Sequence, residues 1–178
     1  MDAAPAFGRM INTEEQLMER VDWINYYLDI AQAVASRSTC LRKKYGAIIV
    51  NNNIIIATGY NGAPRGRANC SDRGTCIREE LNIPRGERYE LCRAVHAEAN
   101  AMLAASRDQM LGAVMYQACV HPRTGEIIGP IDSCQMCKKL IINAGIAQVI
   151  NRDSKSGYHV ADAADWVAHD DSLGTIGY

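Results

Sequence analysis

The stretch His96-Ala97-Glu98-Ala99-Asn100-Ala101-Met102-Leu103-Ala104-Ala105 decides how this chain is read. Alanine, methionine and leucine are strong helix formers, and the small side chains suit close packing. Residues two apart do not share the flank of a helix, so His96 and Glu98 can reach one site only from a helix end. The run therefore predicts a helix that begins near His96 and exits through Ser106, Arg107 and Asp108. Further on, Cys134-Gln135-Met136-Cys137 places two thiols at i and i+3, on one face of a second helix. In its first turn the helix dipole and the exposed amides favour their thiolates.

One histidine and two cysteines form a three-ligand zinc set that leaves a fourth position for water, the arrangement of a catalytic rather than a structural site. The expected metal ligands are His96, Cys134 and Cys137, and the expected catalytic residue is Glu98, a carboxylate placed to move protons. H-x-E followed by P-C-x-x-C is the signature of zinc nucleobase deaminases, in which the Glu is acid and base and not a ligand. Ser133 stands where that signature has proline, and Pro130 lies three residues too early to replace it. Proline has a fixed φ and no N–H, so its loss is expected to alter the turn entering the helix without removing a ligand. Each half alone is weak: His-Xaa-Glu is common by chance, and Cys-Xaa-Xaa-Cys also serves redox pairs and structural zinc sites. The two in this order, each opening a helix, carry the deaminase reading.

Around these motifs the chain alternates helical and extended patterns. Residues 1–12 read as a loose arm. Thr13-Glu14-Glu15-Gln16 resembles a capping box, and Leu17, Val21, Ile24, Leu28, Ala31 and Ala35 recur at helical spacing, which predicts an amphipathic helix over 14–37. Trp23, Tyr26 and Tyr27 read as core packing. Gly46–Val50 and Ile54–Gly59 flank Asn51-Asn52-Asn53 and predict a hairpin, since Asn tolerates positive φ. Val114–Val120 and Ile146–Ile150 add two strands, each preceded by one of the motif helices, and Ala161–His169 predicts a short last helix with Trp166 on the body. Residues 60–95 have no sustained period, and an irregular stretch of that length is usually functional or disordered. The fold class expected is α/β, a mixed sheet covered by helices.

At 178 residues the chain is expected to be one domain, 1–178, large enough for a core without disulfides. With 19 basic and 20 acidic residues the formal charge is −1, which argues against a protein that tracks nucleic acid and favours a small substrate. No segment approaches the roughly 20 apolar residues of a membrane span, so a cytoplasmic protein is expected. Seven cysteines, two of them in a metal motif, suit reduced thiols and zinc better than a disulfide framework.

Thr58-Gly59-Tyr60-Asn61-Gly62-Ala63-Pro64-Arg65-Gly66, the two zinc motifs and Ile141-Ile142-Asn143-Ala144-Gly145-Ile146 together resemble the deoxycytidylate deaminases of the cytidine deaminase superfamily, across residues 30–150. The resemblance implies a three-layer α/β/α fold with a central mixed sheet, and hydrolysis of dCMP to dUMP and ammonia, supplying dUMP for thymidylate synthesis. Zinc would acidify the attacking water, while Glu98 passes protons to N3 and to the leaving amino group. It implies substrate or effector contacts at Asn61, Gly62, Arg65 and Arg67, regulation by dCTP and dTTP with Mg2+, and a homo-oligomer. It also suggests a second, structural Zn2+ held by Cys40, Cys70, Cys76 and Cys92, tying the 60–95 insertion to the first helix and hairpin. Cys119 reads as core, and His121-Pro122-Arg123-Thr124-Gly125 as a rim loop over the site. The rival readings are a cytidine, cytosine, guanine or tRNA adenosine deaminase, and a closed zinc module that has no use for Glu98.

Overall fold

The computed structural model describes residues 20–84 and 86–169. Its centre is a five-stranded sheet in the order β2-β1-β3-β4-β5, made of β1 (Lys44–Asn51), β2 (Ile54–Tyr60), β3 (Val114–Val120), β4 (Gln148–Arg152) and β5 (Tyr158–Asp162). Asn51 pairs with Ile54, so the hairpin turns on Asn52 and Asn53 alone, at φ of 50° and 61°. Two consecutive positive φ values make the turn whose twist matches the strands. β3 lies antiparallel to β1 and parallel to β4. A parallel pair needs a crossover, and the second motif helix supplies it.

Helices cover both faces. The α-helices in chain order are α1 (Trp23–Ala35), α2 (Cys70–Arg73), α3 (Ile77–Glu80), α4 (Ala97–Leu103), α5 (Arg107–Met110), α6 (Gln135–Ala144) and α7 (Ala163–Ala168). Strand alternation divides the core: Ile48, Val50, Tyr116, Ala118 and Ile150 face α1, whereas Ala47, Ile49, Met115 and Val149 face α4 and α6. The fold is therefore the expected three-layer α/β/α with a mixed sheet. Glycines let the helices approach: a Cβ on Gly46 would sit 2.1 Å from the Ala31 carbonyl oxygen of α1, and one on Gly59 would sit 2.3 Å from the Ala97 carbonyl oxygen of α4.

Several elements differ from the sequence reading. The first helix does not run through residues 20–22; it starts at Trp23, where the Asp22 carboxylate accepts from the Asn25 N–H at 3.0 Å, and the Thr13–Gln16 box lies outside the described residues. A side-chain acceptor at that point ends the need for a preceding turn. Tyr27 is core at 2% exposure, but Trp23 and Tyr26 are about half exposed, because they lie off the stripe of Leu28, Ala31 and Ala35. Ser106 does not simply end the first motif helix; it caps α5, accepting from the Gln109 N–H. β5 was not foreseen, since five half-exposed residues carry little pattern and form a strand by pairing with β4. The last helix forms with Trp166 against the core, but over Ala163–Ala168: Ala161 and Asp162, expected in the helix, pair with β4 as the end of β5. No helix among the described residues is long and apolar enough to cross a membrane.

Candidate active site

Two helix N-termini meet on one side of the sheet. His96 is the N-cap of α4 with an extended backbone (φ −69°, ψ 154°), so its side chain turns off the helix end while Glu98 follows inside the first turn. Cys134 is the N-cap of α6 in the same conformation (φ −69°, ψ 162°), and Cys137 lies in the first turn. His96 Nδ1 is 3.4 Å from both thiol sulfurs. Among the described residues, His96, Cys134 and Cys137 are the only group of three metal-type side chains whose ligand atoms fall within 4.8 Å of one another. One imidazole nitrogen and two sulfurs are a donor set that suits zinc.

The electrostatics of the group fit metal binding. Hydrogen bonding from Cys137, assisted by His96, pulls the Cys134 thiol down to about 4, whereas its partner Cys137 is pushed up by that same bond and by burial. The pair thus loses one proton readily and keeps the other until a cation replaces it. Burial works against a charged His96, yet the bond to Cys134 and the nearby Glu98 carboxylate raise it overall. Glu98 is 6% exposed, and burial raises its carboxyl above the ordinary range.

The cavity over this group is also lined by Lys43, Asn61, Arg78, Tyr89, Arg93 and Asp132. Asn61 is buried, and its amide is largely committed to structure: Oδ1 accepts from Ser38 Oγ at 2.6 Å and from the Tyr45 N–H at 2.8 Å, while Nδ2 donates to the Lys43 carbonyl at 3.0 Å. Gly62 bridges Val95 and joins the Asn61 loop to the segment that leads into His96. Arg65 and Arg67 are exposed and do not line this cavity; Arg67 borders an adjoining one with Arg73 and Arg93.

The 60–95 segment is ordered around short turns. The Arg78 guanidinium donates to the Pro84 carbonyl at 2.7 Å and the Arg88 carbonyl at 2.8 Å. Tyr89 opens a 3₁₀ turn, Tyr89–Leu91, and sets its ring against His96. Thr39 Oγ1 donates to Asn69 Oδ1 at 3.0 Å and the Ser71 N–H donates to the Thr39 carbonyl, which draws Cys40 towards Cys70. Cys40, Cys70, Cys76 and Cys92 all line the cavity that holds Glu98, and all are free thiols. Cys119 is fully buried in β3. The 121–125 turn does not line the cavity; it is closed by the His121 N–H donating to the Glu126 carbonyl, and the chain after it returns along β3, Ile127 bridging Val120 and the Ile128 N–H donating to the Cys119 carbonyl.

Lys43, Arg78, Tyr89 and Asp132 escaped the sequence reading, because nothing in their local pattern separates them from surface residues. Gln117, alone among apolar residues in Val-Met-Tyr-Gln-Ala-Cys-Val, carried a visible signal.

The family model for the cytidine and deoxycytidylate deaminase zinc-binding region matches residues 21–152. The deoxycytidylate deaminase of Mycobacterium phage D29 is 40% identical over 138 residues, covering 75% of this chain and 96% of that one. The deoxycytidylate deaminase of Schizosaccharomyces pombe is 34% identical over 135 residues, 76% of this chain but 38% of the yeast protein. The apo crystal structure of dCMP deaminase from the cyanophage S-TIM5 is 29% identical, with a TM-score of 0.47 over 70% of this chain and 77% of that one. With a match that spans most of its length and both zinc motifs, the chain belongs to the cytidine and deoxycytidylate deaminase family.

Proposed function

We propose that this chain, a single deaminase domain over 1–178 with 60–95 as an insertion, hydrolyses dCMP to dUMP and ammonia. The observation that carries the reading is a buried carboxylate, Glu98, set beside His96, Cys134 and Cys137 where two helix N-termini meet. The names of the phage and yeast relatives support deoxycytidylate as the substrate.

His96, Cys134 and Cys137 would hold the zinc, which would supply a water acidic enough to lose its proton near neutral pH. Glu98 accepts that proton and hands it to N3 of the cytosine, which makes C4 electrophilic. After the water oxygen bonds to C4, Glu98 takes the proton left on that hydroxyl and delivers it to the amino group, so that the C4–N bond breaks, ammonia leaves and the C4 carbonyl of the uracil forms. A residue that is base and then acid in one turnover needs a pKa nearer neutrality than an exposed carboxylate has, and burial moves Glu98 that way. Asn61 fixes the loop that borders the base, with one Nδ2 hydrogen left for a ligand.

Lys43, Arg42 and Arg93 are the cations of the Glu98 cavity suited to a single phosphate: Arg42 and Arg93 engage Glu79 and the Ala68 carbonyl through Nε only, whereas Arg78 donates from both terminal nitrogens to carbonyls. Arg65, Arg67 and Gly62 belong to the effector side of the reading, where dCTP or dTTP with Mg2+ would bind the neighbouring cavity that Arg67, Arg73 and Arg93 line, with Arg65 and Gly62 outside its lining. A homo-oligomer, a cytoplasmic location, a role in supplying dUMP for thymidylate synthesis and a second Zn2+ at the four outer thiols complete it. The test is ammonia release from dCMP, CMP, dCTP, deoxycytidine and adenosine-containing RNA, with and without dCTP and dTTP. Turnover of dCMP above the others, lost in Glu98→Gln with zinc retained, is expected; no release from dCMP by the zinc-loaded protein overturns the reading.

A further inference from the structure

The turn that presents Cys134 lacks the proline of the family signature, and it is held by a different device. Gln117 sits mid-strand in β3 at 1% exposure, on the face that carries Met115 and α6. Its Nε2 donates to Ser133 Oγ at 2.8 Å. Ser133 is 4% exposed and immediately precedes the Cys134 N-cap. The Ser133 N–H donates to Asp132 Oδ1 at 2.8 Å, and Asp132 Oδ2 pairs with Lys138 Nζ of α6 at 2.8 Å.

Proline at this position would stiffen the turn covalently, by fixing its own φ and holding the preceding residue extended. Serine supplies neither restraint. Its hydroxyl instead reaches a buried amide that has little freedom, because β3 is paired on both sides in the middle of the sheet. We propose that the Gln117–Ser133 hydrogen bond replaces the proline and positions Cys134 as a metal ligand, with the Asp132–Lys138 pair bracing the turn from outside. Gln117 and Ser133 are positioning residues: they act through Cys134 and touch no substrate.

The device makes the two residues interdependent. Ser133→Pro alone leaves the Gln117 amide with only the weak Met115 sulfur, at 3.4 Å, as acceptor and removes the N–H that Asp132 holds, so the family residue is harmful here unless Gln117 changes with it. Gln117→Leu/Ser133→Pro removes the poorly paired donor and restores a stiff turn.

The inference rests on the zinc assignment, and zinc affinity by chelator competition, with the cobalt–thiolate absorption of the cobalt-loaded protein, tests the two separately. Ser133→Ala and Gln117→Leu are each expected to weaken zinc binding by about tenfold, in the range found when groups supporting a ligand are removed. Ser133→Thr, which keeps the hydroxyl, stays within about twofold, and Gln117→Leu/Ser133→Pro binds zinc more tightly than either Gln117→Leu or Ser133→Pro. The metal-free melting temperature of each variant separates a loss of ligand positioning from general destabilisation. Zinc affinity and cobalt spectrum unchanged in Ser133→Ala, or a double variant no better than its parents, overturns the proposal. A wild-type chain that binds no zinc fails the zinc assignment itself.

Discussion

Arg78 holds its guanidinium 4.7 Å from the centre of the Tyr89 ring, and that ring meets His96 edge-on, with centroids 4.9 Å apart and planes at 89°. A buried arginine in the insertion thus supports an aromatic ring that limits where a ligand histidine can turn. Arg78→Met keeps the apolar stem and loses the stacking cation and two hydrogen bonds to carbonyls. Hydrogen bonds from charged donors are worth about 1.5–3 kcal/mol each, offset here by the relief of a buried charge, so a net loss of about 1–3 kcal/mol is expected in urea unfolding. Zinc affinity should fall as well, because Tyr89 is no longer held against His96. A variant as stable as wild type with unchanged zinc affinity rules out this supporting role.

Gly59 is the point where β2 touches the catalytic helix. A Cβ there would lie 2.3 Å from both the Ala97 carbonyl oxygen and the Ala101 nitrogen, backbone atoms that cannot rotate away. Gly59→Ala therefore has to push α4 off the sheet and move Glu98 with it. Overpacking of this kind costs about 1–3 kcal/mol, and a displaced catalytic group should lower kcat more than it changes KM. Gly112→Ala is the control: a Cβ there meets nothing within 4 Å and bears only the strain of φ 71°. Its kcat is expected to match wild type.

The contrast between Glu98 and Arg78 explains what the sequence disclosed. Glu98, His96, Cys134 and Cys137 were legible because metal and proton chemistry require particular residue types at fixed spacing, and each motif opens a helix. The hairpin was legible for a similarly local reason, two asparagines at positive φ. Arg78, Tyr89 and Lys43 were not, since their roles come from a long segment folding back through contacts such as Arg93 Nε to the Ala68 carbonyl and Arg42 to Glu79. β5 was hidden likewise, because an edge strand of half-exposed residues is defined by its neighbour. Ser133 was visible as a departure, but its partner Gln117 became visible only when β3 and the turn were placed together.

The two buried phenols between α1 and the sheet set an alkaline limit on stability. Burial raises Tyr116 and Tyr27 above 10.0, and the nearby tyrosines add to each shift. Below about pH 10 both phenols are neutral in folded and unfolded chains, and their contribution is fully present. Above that value the unfolded chain sheds these protons while the folded chain retains them, so stability falls as pH rises through the raised folded values. Urea midpoints between pH 8 and 11 should show the decline, and Tyr116→Phe should flatten it by removing one titrating group. An equal slope in wild type and Tyr116→Phe would falsify the assignment.

Cys40, Cys70, Cys76 and Cys92 line one cavity from three separate segments, the loop before β1, α2 with its following turn, and the 3₁₀ turn before His96, and a metal there would have to draw their sulfurs together, since no three of them lie within 4.8 Å of one another. Burial, reinforced by the neighbouring thiols, raises Cys70 and Cys92. In the metal-free protein these two therefore keep their protons at neutral pH, and a cation must displace them. Binding there should release protons and strengthen as pH rises. Metal analysis of the wild-type chain is expected to give two zinc ions, and Cys70→Ser one, with that one still supporting deamination because His96, Cys134 and Cys137 are untouched. The variant should also melt lower, since the metal would link the insertion to the body of the fold and its binding energy adds to folding. A single zinc ion in the wild-type chain, lost in Cys134→Ser and unaffected by Cys70→Ser, assigns the four outer thiols to packing instead.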